Sequence, residues 1–191
     1  MMQTAVRVFA EKGYHAATIR DIVTAANVAI GTFYFYFPDK ETLFVHLYEE
    51  TADFLLQTLR QAINRPDEFS KQVVTGIQAY VNIALYEPAV VHLLLVGGVG
   101  TVPALTEQRT RFREGLTVVW QRPLERALGQ GVVRQQNCRR TAAAIAGAVD
   151  EVLLNLLNLT NPEQEAEAVV RDLSQFILGA TGYHSGTNGQ V

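Results

Sequence analysis

The run Thr18-Ile19-Arg20-Asp21-Ile22-Val23-Thr24-Ala25-Ala26-Asn27-Val28-Ala29-Ile30-Gly31-Thr32-Phe33-Tyr34-Phe35-Tyr36-Phe37-Pro38 holds two short helices and a tight turn. Thr18 and Asp21 stand at the spacing of a capping box, in which the hydroxyl takes an orphan amide and the carboxylate reaches back. The helix they start is expected over residues 19–26. It stops at Asn27, the residue after glycine that best tolerates a left-handed turn. A second helix is expected over 29–36, ended by Phe37-Pro38 because the residue before proline avoids helical geometry. Ala25 and Ala26 are small enough for the second helix to cross closely. Ile19, Ile22, Val28, Phe33 and Phe37 would anchor the inner face, while Thr32, Phe35 and Tyr36 fall on the other side of the wheel. Four aromatics in a row, Phe33, Tyr34, Phe35 and Tyr36, cannot all face one core. The pattern is a helix-turn-helix whose second helix suits a groove of duplex DNA.

Outward from this run the chain stays helical. Upstream, Val6, Phe9 and Ala10 form an apolar stripe that halts at Gly13. Downstream, Asp39 caps a fourth helix with Leu43, Leu47, Thr51, Phe54, Thr58 and Ala62 on one side, and Arg65-Pro66-Asp67 breaks it. Further helices are expected over 68–86, 88–96, 103–129, 139–159 and 162–178. Gly97-Gly98-Val99-Gly100 reads as a turn, and Pro123 as a kink. The fold class is therefore all-α, with about nine helices by this count. A three-helix head is expected to be fused to a bundle of longer helices. The head covers 1–46, the bundle 47–182, and 183–191 forms a fraying tail.

Composition excludes several classes. The chain has 191 residues, 48% hydrophobic and 18% charged, with net charge −3, which rules out disorder. One cysteine, Cys138, rules out a disulfide scaffold and suits a reducing, cytoplasmic setting. The longest stretch without Asp, Glu, Lys or Arg, 88–106, carries His92, two prolines and three glycines, so no membrane span is expected. No signal-peptide apolar segment opens the sequence. The histidines at 15, 46, 92 and 184 show no metal-ligand spacing, so no metal is expected. No nucleophile with a nearby base is legible, hence no enzyme and no cofactor.

The sequence resembles the TetR family of bacterial transcriptional regulators. Phe9-Ala10-Glu11-Lys12-Gly13-Tyr14, the capping box, Ala25-Ala26-Asn27-Val28 and above all residues 31–43 carry the likeness. The resemblance implies that Thr18 and Lys40 hold phosphates and that Tyr34 and Tyr36 donate hydroxyls to the DNA backbone. Arg20 would reach a phosphate or a guanine edge. Ile30, Gly31, Thr32 and Phe35 would face bases. The family often has polar side chains near Ala29, Ile30 and Phe35. Here those positions are apolar, so shape and thymine-methyl contact should outweigh base hydrogen bonds. Residues 1–50 hold four basic side chains (Arg7, Lys12, Arg20, Lys40) against six acidic ones, which predicts a shallow salt dependence of binding.

The bundle should build the dimer and the pocket. Over 142–159 the side chains Asp150, Glu151, Asn155 and Asn158 occupy about 140° of the wheel. The apolar remainder is too wide for one core face. Ala143, Ala146, Gly147 and Leu154, with Val169, Leu173 and Phe176 on the next helix, are the expected homodimer interface. Tyr80, His92, Arg109, Phe112, Leu116, Trp120 and Asn155 are candidates for an effector pocket. Arg109 on an apolar stripe needs a partner, either an internal carboxylate or an effector anion. The function so read is a regulator, in the repressor sense, that leaves a palindromic double-stranded operator when a small apolar or amphipathic effector binds. Two alternatives stay open at this point: a helical lipid-binding or small-molecule-binding protein with a vestigial DNA head, and a cofactor-free enzyme using the interior cavity.

Overall fold

The computed structural model describes residues 1–97 and 102–185. Among them all regular structure is helical: α1 (Met2–Ala16), α2 (Ile19–Ala25), α3 (Ile30–Tyr36), α4 (Lys40–Asn64), α5 (Phe69–Tyr86), α6 (Pro88–Leu95), α7 (Leu105–Gly129), α8 (Cys138–Leu157) and α9 (Pro162–Thr181). Most of the punctuation is local chemistry. Gly13 has φ 76° and ψ 163° and interrupts α1. Thr18 caps α2 with both bonds of the capping box present, and Asn27 turns left-handed at φ 54°. The Asp39 carboxylate accepts from the Thr42 amide at 2.7 Å and caps α4. Pro88 and Pro162 stand in the first turns of α6 and α9, where their missing amides cost nothing. Pro123 lies inside α7, which continues across it. Of the expected turn 97–100, residues 98–100 lie outside the described residues, as do 186–191 of the expected tail.

The chain packs as two compact units. The first joins Met1–Leu55 to Tyr86–Phe112; the second joins Leu56–Leu85 to the described residues from Arg113 on. Helix α6 and the start of α7 therefore fall with the head, where α6 packs on α1, rather than with a bundle starting at residue 47.

In the first unit, Ala5, Val8, Phe9, Ile22, Val23, Phe33, Leu43, Phe44 and Leu47 form the core of the head. Fully burying Phe33 contributes roughly 2–3 kcal/mol. Phe54, expected on the buried stripe of α4, is instead more than half exposed. The inward face runs through Leu43, Leu47 and Leu55 and takes Phe44, Tyr48 and Ala52 with it. His92 is likewise exposed, because α6 turns Val91, Leu93 and Leu94 inward and leaves His92 on the opposite side.

In the second unit, α5 approaches very closely. A Cβ on Gly76 would meet Ile63 Cγ1 at 2.6 Å and Trp120 Cη2 at 3.0 Å. Helices α8 and α9 pack on each other. Their inward residues include Ala142, Ala146, Val149 and Leu153 on α8, and Val170, Leu173 and Ile177 on α9.

Candidate nucleic-acid interface

The head is built as a stiff frame around one exposed helix. Phe33 is fully buried, while Tyr34, Phe35 and Tyr36 are 54%, 82% and 64% exposed and Ile30 is half exposed. Phe35 and Tyr36 stand edge to face, with ring centroids 5.0 Å apart. Phe33 makes the same kind of contact with Tyr34 at 5.3 Å. Gly31 is exposed, and a Cβ there would meet nothing within 4 Å. Thr32 and Arg20 are exposed as well.

Two of the expected phosphate ligands have their donors engaged inside the protein. The Thr18 hydroxyl donates to Asp21 Oδ2 at 2.7 Å and accepts from the Asp21 amide at 3.1 Å. Lys12 Nζ adds a 2.8 Å bond to Asp21 Oδ1. The Lys12 hydrogen bond, then those from Thr18, hold the Asp21 carboxyl down at about 2. Lys40 Nζ donates to the carbonyls of Tyr14 at 2.7 Å and Ala17 at 2.9 Å, with His15 at 3.4 Å. It also lies 4.4 Å from the centre of the Tyr14 ring. An ammonium has three donors, so Lys40 closes the α1–α2 junction onto α4 rather than presenting a free charge. Sequence spacing could not reveal this, because the acceptors are backbone groups 23–26 residues away.

The residues expected to line a pocket fall in different units. Tyr80, Leu116 and Trp120 are buried in the second unit and Asn155 is exposed there; His92, Arg109 and Phe112 belong to the first. Among the described residues, Arg109 does not pair with an internal carboxylate. Its guanidinium donates to the carbonyls of Gly97 at 3.2 Å and Leu95 at 3.5 Å, at the end of α6. A cation suits the negative end of a helix dipole, which removes the need for a carboxylate. Phe112 packs edge-on to Tyr48. An open groove of about 480 Å³ lies among α1, α4 and α6, and none of the expected pocket residues lines it. Trp120 Nε1 is buried without a hydrogen-bond partner among the described residues.

The wheel reading of α8 missed Asp150. It sits at the edge of the polar arc, yet the folded chain leaves it only 5% exposed. Tyr80 OH donates to its Oδ1 at 3.0 Å, and Arg113, an exposed side chain, reaches Oδ2 at 3.5 Å. Burial pushes this carboxyl up to about 6, against the opposing pull of Tyr80 and Arg113. Of the expected dimer residues, Ala146 and Leu173 turn into the subunit. Ala143 and Phe176 are exposed; Gly147, Leu154 and Val169 are half-buried.

Residues 2–47 match the family model described as bacterial regulatory proteins, tetR family. Residues 70–180 match the tetracyclin repressor-like C-terminal domain. The chain belongs to the TetR family. Its relatives are transcriptional regulators rather than enzymes. It is 35% identical over 83 residues to a fatty acid metabolism regulator protein of Bacillus subtilis, an alignment covering 44% of this chain and 43% of that protein. It is 28% identical over 142 residues to the transcriptional repressor KstR2 of Rhodococcus jostii, covering 70% and 66%. The chain thus spans under half the length of the first of these relatives. Among solved structures, the fatty acid degradation regulator FadR of Bacillus halodurans superposes with TM-score 0.81 at 23% identity, over 93% of this chain and 96% of that one. FadR of Bacillus subtilis in complex with stearoyl-CoA gives TM-score 0.77 at 20% identity, over 96% and 97%. At these identities the superpositions establish the TetR fold. This TetR chain carries the family's helix-turn-helix head, and none of its described helices is long and apolar enough to cross a membrane.

Proposed function

We propose that the chain is a cytoplasmic, homodimeric repressor that leaves a palindromic operator when a fatty-acyl effector, of the acyl-CoA kind, binds its second unit. The observation that carries the operator half is the exposed aromatic face of α3 on a capped, lysine-closed frame. Arg20, Ile30, Gly31, Thr32, Tyr34, Phe35 and Tyr36 are its contact residues, while Thr18 and Lys40 hold the frame. A helix-turn-helix reader needs two half-sites to turn a weak single contact into a specific one. The exposed Phe176 and Ala143, flanked by Val169, Gly147 and Leu154, support pairing through α8 and α9.

The effector half is supported by two similar proteins, a fatty acid metabolism regulator and a FadR that was solved with stearoyl-CoA. It also draws on an apolar core in the second unit where, among the described residues, Trp120 Nε1 has no partner and would be free to donate to an acyl carbonyl. Release requires that the effector bind the operator-incompetent state more tightly than the competent one.

Selection of random duplexes on the purified protein should return a two-fold palindrome with A/T-rich half-sites, and stearoyl-CoA should release it in a gel shift. No enriched sequence would refute the operator half. An operator complex indifferent to stearoyl-CoA would refute the effector half.

A further inference from the structure

The seven residues of α3 include no Asp, Glu, Lys, Arg or His and no side-chain amide; their only side-chain hydrogen-bonding groups are the hydroxyls of Thr32, Tyr34 and Tyr36. Such a helix cannot make the bidentate contacts with which arginine, asparagine or glutamine read purine edges. What it presents is apolar surface, and Phe35 presents most of it, at 82% exposed. On the wheel Phe35 falls between Gly31 and Thr32, with Tyr36 next and Ile30 on the far side of Gly31. A helical side chain leans back over the turn before it, which for Phe35 is the turn of Gly31. A Cβ at Gly31 would touch nothing in the protein. The missing side chain therefore serves no internal packing and leaves the ring an unobstructed approach to an outside surface.

We propose that Phe35 is the specificity-determining residue of the reading helix, and that it selects thymine by burying the base's 5-methyl group against its ring. The methyl is the one apolar feature that base pairs show in the major groove. A ring held out on a short helix and braced edge-on by Tyr36 is matched to it, whereas it has no hydrogen bond to offer a guanine or an adenine. The proposal rests on the operator reading above and adds the chemistry of the base that is read.

The test replaces each thymine of the selected operator, one at a time, with deoxyuridine, which removes the methyl and leaves every hydrogen bond in place. The wild-type protein should lose about three- to fivefold in affinity at one or two symmetry-related positions per half-site, the worth of one buried methyl. The rest should be neutral. Phe35→Ala should bind more weakly and no longer distinguish thymine from uracil at those positions. Phe35→Leu, which keeps apolar contact, should bind more tightly than Phe35→Ala and retain part of the preference. Wild-type binding indifferent to every such replacement overturns this proposal alone, as does an undiminished preference in Phe35→Leu and Phe35→Ala. Selection that yields no bound duplex overturns the operator reading and this proposal with it.

Discussion

The head and the second unit break the same packing rule in opposite directions. In the head, a phenylalanine and two tyrosines face solvent on a helix whose fourth aromatic, Phe33, is fully buried. In the second unit a carboxylate, Asp150, is taken out of water and answered by a phenol and a distant guanidinium. Each departure costs stability that neighbouring residues must offset, and each marks a place where folding alone does not explain the residue. The difference lies in who completes the contact. The rings of α3 wait for an outside surface, whereas Asp150 is satisfied by its own chain.

The largest test of that contrast is a pair of phenylalanines two residues apart. Phe33→Ala should cost about 3–5 kcal/mol, the penalty for emptying a fully buried aromatic site. Phe35→Ala should leave stability within about 0.5 kcal/mol. Thermal or denaturant melting decides between them, and both variants should lose operator affinity. Equal melting curves for the two would erase the distinction between frame and probe.

Asp150 supplies the next effect. Its carboxyl, raised to about 6 by burial, holds a proton more tightly when folded than when unfolded. Stability should therefore rise as pH falls from about 6 toward 4, and the penalty is fully present above about 6. A displacement of this size corresponds to about 3 kcal/mol at neutral pH. Asp150→Asn should accordingly stabilise the protein at pH 7.5 by an amount of that order, and the gain should shrink toward zero by pH 4. Urea unfolding of both proteins across that range checks it. No tyrosine is lost in this substitution, so an amide accepting from Tyr80 keeps the local packing.

The smallest effect separates a brace from a DNA ligand. Lys40→Met should destabilise the head by about 1–2 kcal/mol through the lost carbonyl contacts and weaken operator binding. The slope of log affinity against log salt should stay unchanged. Were Lys40 a phosphate contact, that slope would lose about one ion's worth. Affinity titrations between low and moderate salt read the difference directly.

Much of the head was legible because its signals are short-range. The Thr18–Asp21 box, the Asn27 turn, the Gly13 stop and the Phe37-Pro38 break each depend on residues within four positions. The outward aromatics followed from the impossibility of burying four consecutive side chains on one helix face. The contacts that spacing does not foretell have an opposite character. Arg109 found the end of α6 rather than a carboxylate, and Lys40 found carbonyls of α1 and the loop after it. His92 fell on the solvent side of an almost wholly apolar helix. In each case the deciding partner is a backbone group or a helix face that no spacing rule records.

By itself the sequence determined the helical class, the caps and turns of the reading head, and which aromatic surplus had to face outward, since these are settled by backbone preference and a 3.6-residue period. Only the tertiary structure decided that Lys40 closes the head, that Asp150 goes inside, and that Ala146 and Leu173 face their own subunit. Those outcomes depend on which groups long stretches of chain bring within hydrogen-bonding or packing distance, and one helix's periodicity carries no information about its neighbours.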